Sequence, residues 1–382
     1  MKQQPKKIFF EAIGIIDNSI AYASLRELNG LFRVDLKSNN CTYISMFPNE
    51  KEGENRLHCS AEYYNNKIYF IPRAADYISI LDLNTEKIYQ TAIPVPAENK
   101  KLYYYKKAKF AASCIYNNSL WMLPATFPGI LKMNMDTEEI TVIDNWVSDK
   151  KYYFRNSMCK INSRLFFPDA YSNAVIELDM TSGRAKVNFV GKDNRGCSSM
   201  CSADGINIWM APVYGPIIKW NYKNDTAEEY SNYPKGFIHK AFDFSKVYSI
   251  QNYIYFIPEY GNMAIKFDTK KNIMTENKED IFKNALGSDC LFETDSFIYF
   301  LVYYNGFEKG YKISKSTNEI SDGSFFFLEG ENKRCKKHIE AVTGKAGIIN
   351  ESVTFGLKEF LTALSDEKNL LQTGEDNNGF FN

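Results

Sequence analysis

The stretch YNNKIYFIP at positions 64–72 returns as YNNSLWMLP at 116–124 and as IQNYIYFIP at 250–258. Each copy joins a short polar turn to an apolar, aromatic run and closes on proline. Asparagine suits the turn because its short side chain tolerates tight backbone geometry or hydrogen-bonds to it. Aromatic and branched residues fit a pleated, half-buried strand, and proline lacks the amide donor needed to continue pairing. The phrase therefore reads as a hairpin turn feeding a strand that stops abruptly.

Working outward, the first apolar residue of each such strand falls at Ile20, Ile68, Leu120, Leu165, Ile208, Ile254 and Ile298, with spacings of 48, 52, 45, 43, 46 and 44. A period drifting through the forties marks four-stranded units arrayed side by side. In the second unit, RLHCSAEYY, KIYFIP, YISILDL and IYQTAI read as four strands. Thirteen to fifteen residues after the anchors stand Asp35, Asp82, Asn134, Asp179, Asn221 and Asp268, read as turn formers closing the third strand; the seventh unit departs from the pattern, with Lys312 there. Pro72, Pro124, Pro168, Pro212 and Pro258 end the second strands of the middle units.

These units resemble the blades of a β-propeller of the kelch-like or related bacterial propeller superfamily. The resemblance covers roughly 7–330 and implies an all-β, closed propeller of four-stranded antiparallel blades. Seven blades account best for the chain, with six or eight as alternatives. Residues 331–382 stand outside the repeat; there Val353, Leu357, Phe360, Leu361 and Leu364 follow helical spacing and predict a short amphipathic helix near 352–365, followed by a frayed end.

Composition limits the function. The chain has 382 residues with 46 Lys plus Arg and 46 Asp plus Glu, so no net field draws it to nucleic acid. No apolar run approaches the ~20 residues that span a bilayer. Eight dispersed cysteines read as reduced, mostly buried thiols in a cytoplasmic protein. Three histidines without metal-type spacing, and an isolated CSSMC at 197–201, predict neither metal nor cofactor.

In a propeller, the loops between second and third strands share one face with the segments that join successive blades. Here these segments hold Arg56, His58, Arg73, Arg155, Asn156, Tyr171, Arg195, Tyr214, Tyr260 and Tyr303. Aromatic area with a few charges suits recognition of a protein, peptide or carbohydrate, and inward-facing cations favour an anionic ligand. The sequence thus points to a non-catalytic recognition or scaffold module binding a peptide, carbohydrate or small anionic ligand on the loop face. The alternative is a channel-sited hydrolase or lyase acting on a carbohydrate or small anion, for which Asp169 and Glu259, in equivalent loops, are the candidate carboxylates.

Overall fold

The computed structural model describes residues 7–26, 28–51, 54–96, 105–147, 152–277, 280–282, 285–305 and 307–327. The segment expected to form a helix near 352–365 lies outside them. Among the described residues, seven antiparallel blades follow in chain order, spanning 10–45, 58–92, 110–143, 159–189, 197–230, 244–276 and 287–322. The helical elements there are two short 3-10 turns, Lys106–Ala108 and Asp280–Phe282. No helix of the described residues is long and apolar enough to cross a membrane.

The repeated phrase sits at the hairpin between the innermost strand and the next. Tyr64 pairs with Lys67 across Asn65 and Asn66, whose φ values are 46° and 57°. Tyr116 and Ser119 enclose Asn117 and Asn118 in the same way, at 44° and 56°. Two successive positive φ values give the two-residue turn whose twist matches that of the flanking strands, and asparagine adopts them at low cost. All five prolines are the last residues of their strands, as in Lys67–Pro72 and Tyr253–Pro258.

The expected turn formers act as read. Asp35 accepts from the amides of Lys37 at 2.8 Å and Ser38 at 3.1 Å. Asp82, Asn134, Asp179, Asn221 and Asp268 make equivalent contacts two and three residues ahead. The seventh blade corrects one expectation and explains its departure from the turn pattern. Its second and third strands, Phe297–Tyr304 and Phe307–Ser314, extend through most of what reads as a loop. That lengthening places Ser314, not Lys312, opposite the strand start, where its hydroxyl accepts the amide of Thr317 at 3.2 Å.

An apolar cluster fills each seam between neighbouring blades. Between blades two and three, Tyr69, Ile71 and Ile80 meet Leu120, Met122 and Leu131; between four and five, Phe166 and Val175 meet Met210 and Trp220. Fully burying a side chain of this size contributes about 1.5–3 kcal/mol. The seam between blades seven and one is filled in the same way. Phe325, 2% exposed, lies 5.5 Å from Phe10 and 5.5 Å from Tyr299, ring centre to ring centre. Its strand, Phe325–Phe327, pairs in parallel with the outer strand Asn40–Ser45 of blade one and antiparallel with Lys7–Ile8.

Candidate functional site

Innermost strands line a central channel, and how they begin decides what faces its mouth. In blades one, two, three, five and six the first paired residue is followed by a register shift, as between Phe10 and Ala12 or His58 and Ser60. A bulge inserts a residue and re-aims its side chain. Cys59, Ala111, Ser198 and Ser245 occupy that step in four blades, whereas blade one places Glu11 there.

A second equivalent position follows the second strand, where the chain bonds back to the segment leading into its own blade. Arg26 bonds to Phe9, Arg73 to Leu57, Ala125 to Lys109, Val213 to Gly196 and Glu259 to Asp243, each through its amide. This position therefore aims Arg26, Arg73 and Glu259 at one mouth. Arg56 and Arg155 come from inter-blade segments on the same face, and Asp289 from the inner strand Gly287–Glu293.

Around Glu11, Arg26 Nε stands at 3.6 Å, Arg56 Nε at 3.7 Å and Arg73 Nη1 at 4.0 Å. Asp289 Oδ2 is 3.4 Å from Arg26 Nη2 and 3.7 Å from Arg56 Nη2, and Arg26 Nη2 donates to Tyr303 Oη at 3.3 Å. Arg155 differs: its Nη1 and Nη2 donate to the two oxygens of Glu259 at 2.6 and 2.9 Å, with its guanidinium 4.6 Å from the Phe242 ring centre. The inner arginines thus share two carboxylates at long range, while Arg155 is fully engaged by one.

Charge follows the geometry. Burial in the channel wall pushes the Asp289 pKa up, but Arg26, Arg56, Arg155 and Arg73 together outweigh it and hold the carboxyl below its usual value. Burial opposes the charge on Arg73, and Glu11, Tyr153 and Asp289 help restore it, so its pKa is raised overall. Burial lifts Tyr303 to about 12, leaving its hydroxyl protonated. At Glu259 burial raises the pKa further than Arg155 lowers it.

Of the residues expected at the site, the structure gathers Arg56, Arg73, Arg155, Tyr303 and Glu259 at the mouth. Tyr171 (61% exposed), Tyr214 and Tyr260 stand on the surrounding rim, and Asn156 is exposed on an inter-blade segment. Arg195 pairs with Asp193 and lies 5.8 Å from the Tyr214 ring centre. Two residues are removed from the site. His58 is enclosed, its Nδ1 2.9 Å from Ser24 Oγ and its ring 4.3 Å from that of Phe47, and burial drives its pKa down to about 3. Asp169 is 1% exposed and serves as a loop acceptor, from the amide of Tyr153 at 2.8 Å and the hydroxyl of Ser172 at 2.5 Å.

Sequence reasoning missed Glu11, Arg26 and Asp289. Arg26 carried a signal, since it stands six residues after the anchor Ile20, close to the five that separate Ile68 from Arg73. Glu11 and Asp289 had none, because the bulge recurs in five blades while the acid on it does not, and depth in the channel leaves no residue pattern. Among the described residues no group of three or more His, Cys, Asp and Glu could hold a metal ion.

No family model matches the chain, and no curated protein matches it by sequence. Solved structures do resemble it. Selenomethionine-substituted virginiamycin B lyase from Staphylococcus aureus is 14% identical with a TM-score of 0.55, covering 81% of this chain and 95% of the lyase. A streptogramin B lyase is 14% identical at 0.54, covering 78% and 91%. YCF48 bound to D1 peptide is 12% identical at 0.53, also covering 78% and 91%. At such identities the likeness shows the fold, a seven-bladed propeller, and nothing finer.

Proposed function

We propose that this propeller is a non-catalytic recognition module that captures a carboxylate-bearing ligand, an acidic peptide or small organic acid, at the arginine-lined mouth. One observation carries the reading. The Arg73 side chain is only 20% exposed, yet its nearest carboxylate oxygen is 4.0 Å away. Among the described residues its guanidinium makes no hydrogen bond. A guanidinium that has given up water normally regains it as bidentate bonds near 2.7–2.9 Å, as Arg155 does. Arg73 and Arg56 instead hold donors ready for a guest, and the rim of Tyr171, Tyr214 and Tyr260 supplies area for the rest of a chain. The kelch-like resemblance enters only through blade architecture, and the seven free thiols among the described residues support a reducing, cytoplasmic setting.

Fluorescence polarisation against an array of Asp- and Glu-rich peptides tests the reading. Binders should weaken about tenfold or more in Arg73→Ala or Arg56→Ala, the usual loss at an interface anchor. Absence of any acidic binder, or binders indifferent to both substitutions, would overturn it.

A channel-sited hydrolase or lyase is a second reading, favoured by a different observation. Ser113 donates to Glu62 Oε1 at 2.7 Å, Ser60 and Ser113 hydroxyls lie 2.8 Å apart, and burial lifts Glu62 to about 7, where a general base works best. Two fold neighbours are named as lyases, but that likeness extends to fold alone. Turnover abolished by Glu62→Gln with the fold intact would favour the enzyme.

A further inference from the structure

We propose that the end of the channel opposite the arginine mouth is a second anion site, taking a small oxyanion of the phosphate or sulfate class. A cavity of about 210 Å³ opens there against the inner strands of blades four, five and six, with Glu293 and Lys315 of blade seven closing its side. Its position follows from the topology. Glu293 and Ser202 are the last residues of their inner strands, and Lys315 follows Phe307–Ser314 into the turn on the face away from the mouth. At about 30 Å³ for each water, the space holds a tetrahedral oxyanion with part of its hydration shell.

Two ammonium groups meet one carboxylate in this lining. Lys246 Nζ stands 3.6 Å from Glu293 Oε1, and Lys315 Nζ stands 3.5 Å from Glu293 Oε2. Lys160 also lines the cavity, with its Nζ turned toward blade three, where it donates to the carbonyl of Ile115 at 3.2 Å and lies 5.6 Å from the Tyr116 ring centre. The Lys246 side chain is 11% exposed, so its charge has given up most of its water. A pair built only for stability would close to about 2.7–2.9 Å; here one carboxylate is stretched between two lysines. The neighbouring thiols add no negative charge, since burial pushes Cys159 to about 12 and Cys201 well above its ordinary value. An oxyanion would complete the ammonium groups; Ser202 and Ser249 line the space but already give their hydroxyl protons to the carbonyls of Asn207 and Ser202, so the two lysines carry the recognition.

The test uses inorganic phosphate and the full chain at constant ionic strength, with chloride as the balancing anion. One readout is the melting temperature. The other is the heat of phosphate binding, followed by isothermal titration calorimetry. Saturating phosphate should raise the melting temperature, and the heats should describe saturable binding. Both effects should vanish in Lys246→Met, shrink in the rim variant Lys315→Ala, and persist in Arg56→Ala and Arg73→Ala. A response no larger than that to chloride, or one that survives both lysine substitutions, would overturn the site. So would a response lost only in the arginine variants, which would move the anion to the mouth and leave the recognition reading standing.

Discussion

Arg155 and Glu259 are joined by two short hydrogen bonds, 2.6 and 2.9 Å, from the segment before blade four to a loop of blade six. The pair bridges the rim past blade five and braces the mouth. Removing the carboxylate leaves a largely buried guanidinium without its counter-charge. Because the Arg155 side chain keeps 28% exposure, the cost falls below that of a fully buried pair. Glu259→Ala should destabilise by about 2 kcal/mol in urea unfolding, and the double variant Glu259→Ala with Arg155→Met should recover part of it.

The two faces should respond differently to substitution. Arg56 and Arg73 lie at the mouth, whereas Asn65 and Asn118 turn hairpins on the far face. With an acidic peptide in hand, losing either arginine should cost at least about 1.4 kcal/mol of affinity, and Asn65→Gly almost none. Melts of each variant separate lost binding from lost fold. Equal losses on both faces would mean that the wrong side of the disc was chosen.

His58 links stability to acid. Its folded pKa sits near 3, so as pH falls from about 6.5 the unfolded chain takes a proton that the folded chain refuses. Stability therefore rises with pH across that window and is lost on acidification. Going from pH 7.5 to 4.5 should cost the wild type on the order of 2 kcal/mol more than His58→Gln. The His58 ring resonance should not titrate between pH 5 and 8 in the folded protein.

Glu62 works in the opposite direction. Its folded pKa of about 7 exceeds the ordinary carboxylate value, so between about 4.5 and 7 the folded chain holds a proton that the unfolded chain has released. That contribution is present at acid pH and disappears as pH rises through 7. Glu62→Gln should gain melting temperature relative to wild type at pH 8 and little at pH 4.5. A gap that stays constant across this range would place Glu62 in water.

Phe325 seals the seam between the last blade and the first, against Phe10, Tyr299 and Phe292. Phe325→Ala should destabilise by about 3–5 kcal/mol, the range for emptying a phenylalanine site in a packed core. Phe325→Leu should recover more than half of that. A loss below about 1 kcal/mol would show that the seam is held elsewhere.

The sequence by itself determined the blade. Paired asparagines that accept positive φ, aromatic strands, prolines that end them and Asp or Asn side chains that cap the next turn are local requirements, so they recur wherever a blade recurs. Count and order followed, and with them the face on which Arg56, Arg73, Arg155 and Tyr303 would meet. Only the tertiary structure decided what those residues meet. Glu11 reaches the mouth through a bulge, Asp289 through its depth in an inner strand, and His58 leaves it because a one-residue shift turns a strand side chain from channel to core. Ring closure was also hidden, since Phe325 finds Phe10 across more than three hundred residues and no local pattern records that contact. Charge balance at each end of the channel depends on distances between blades, and distance between blades is what a repeat cannot encode.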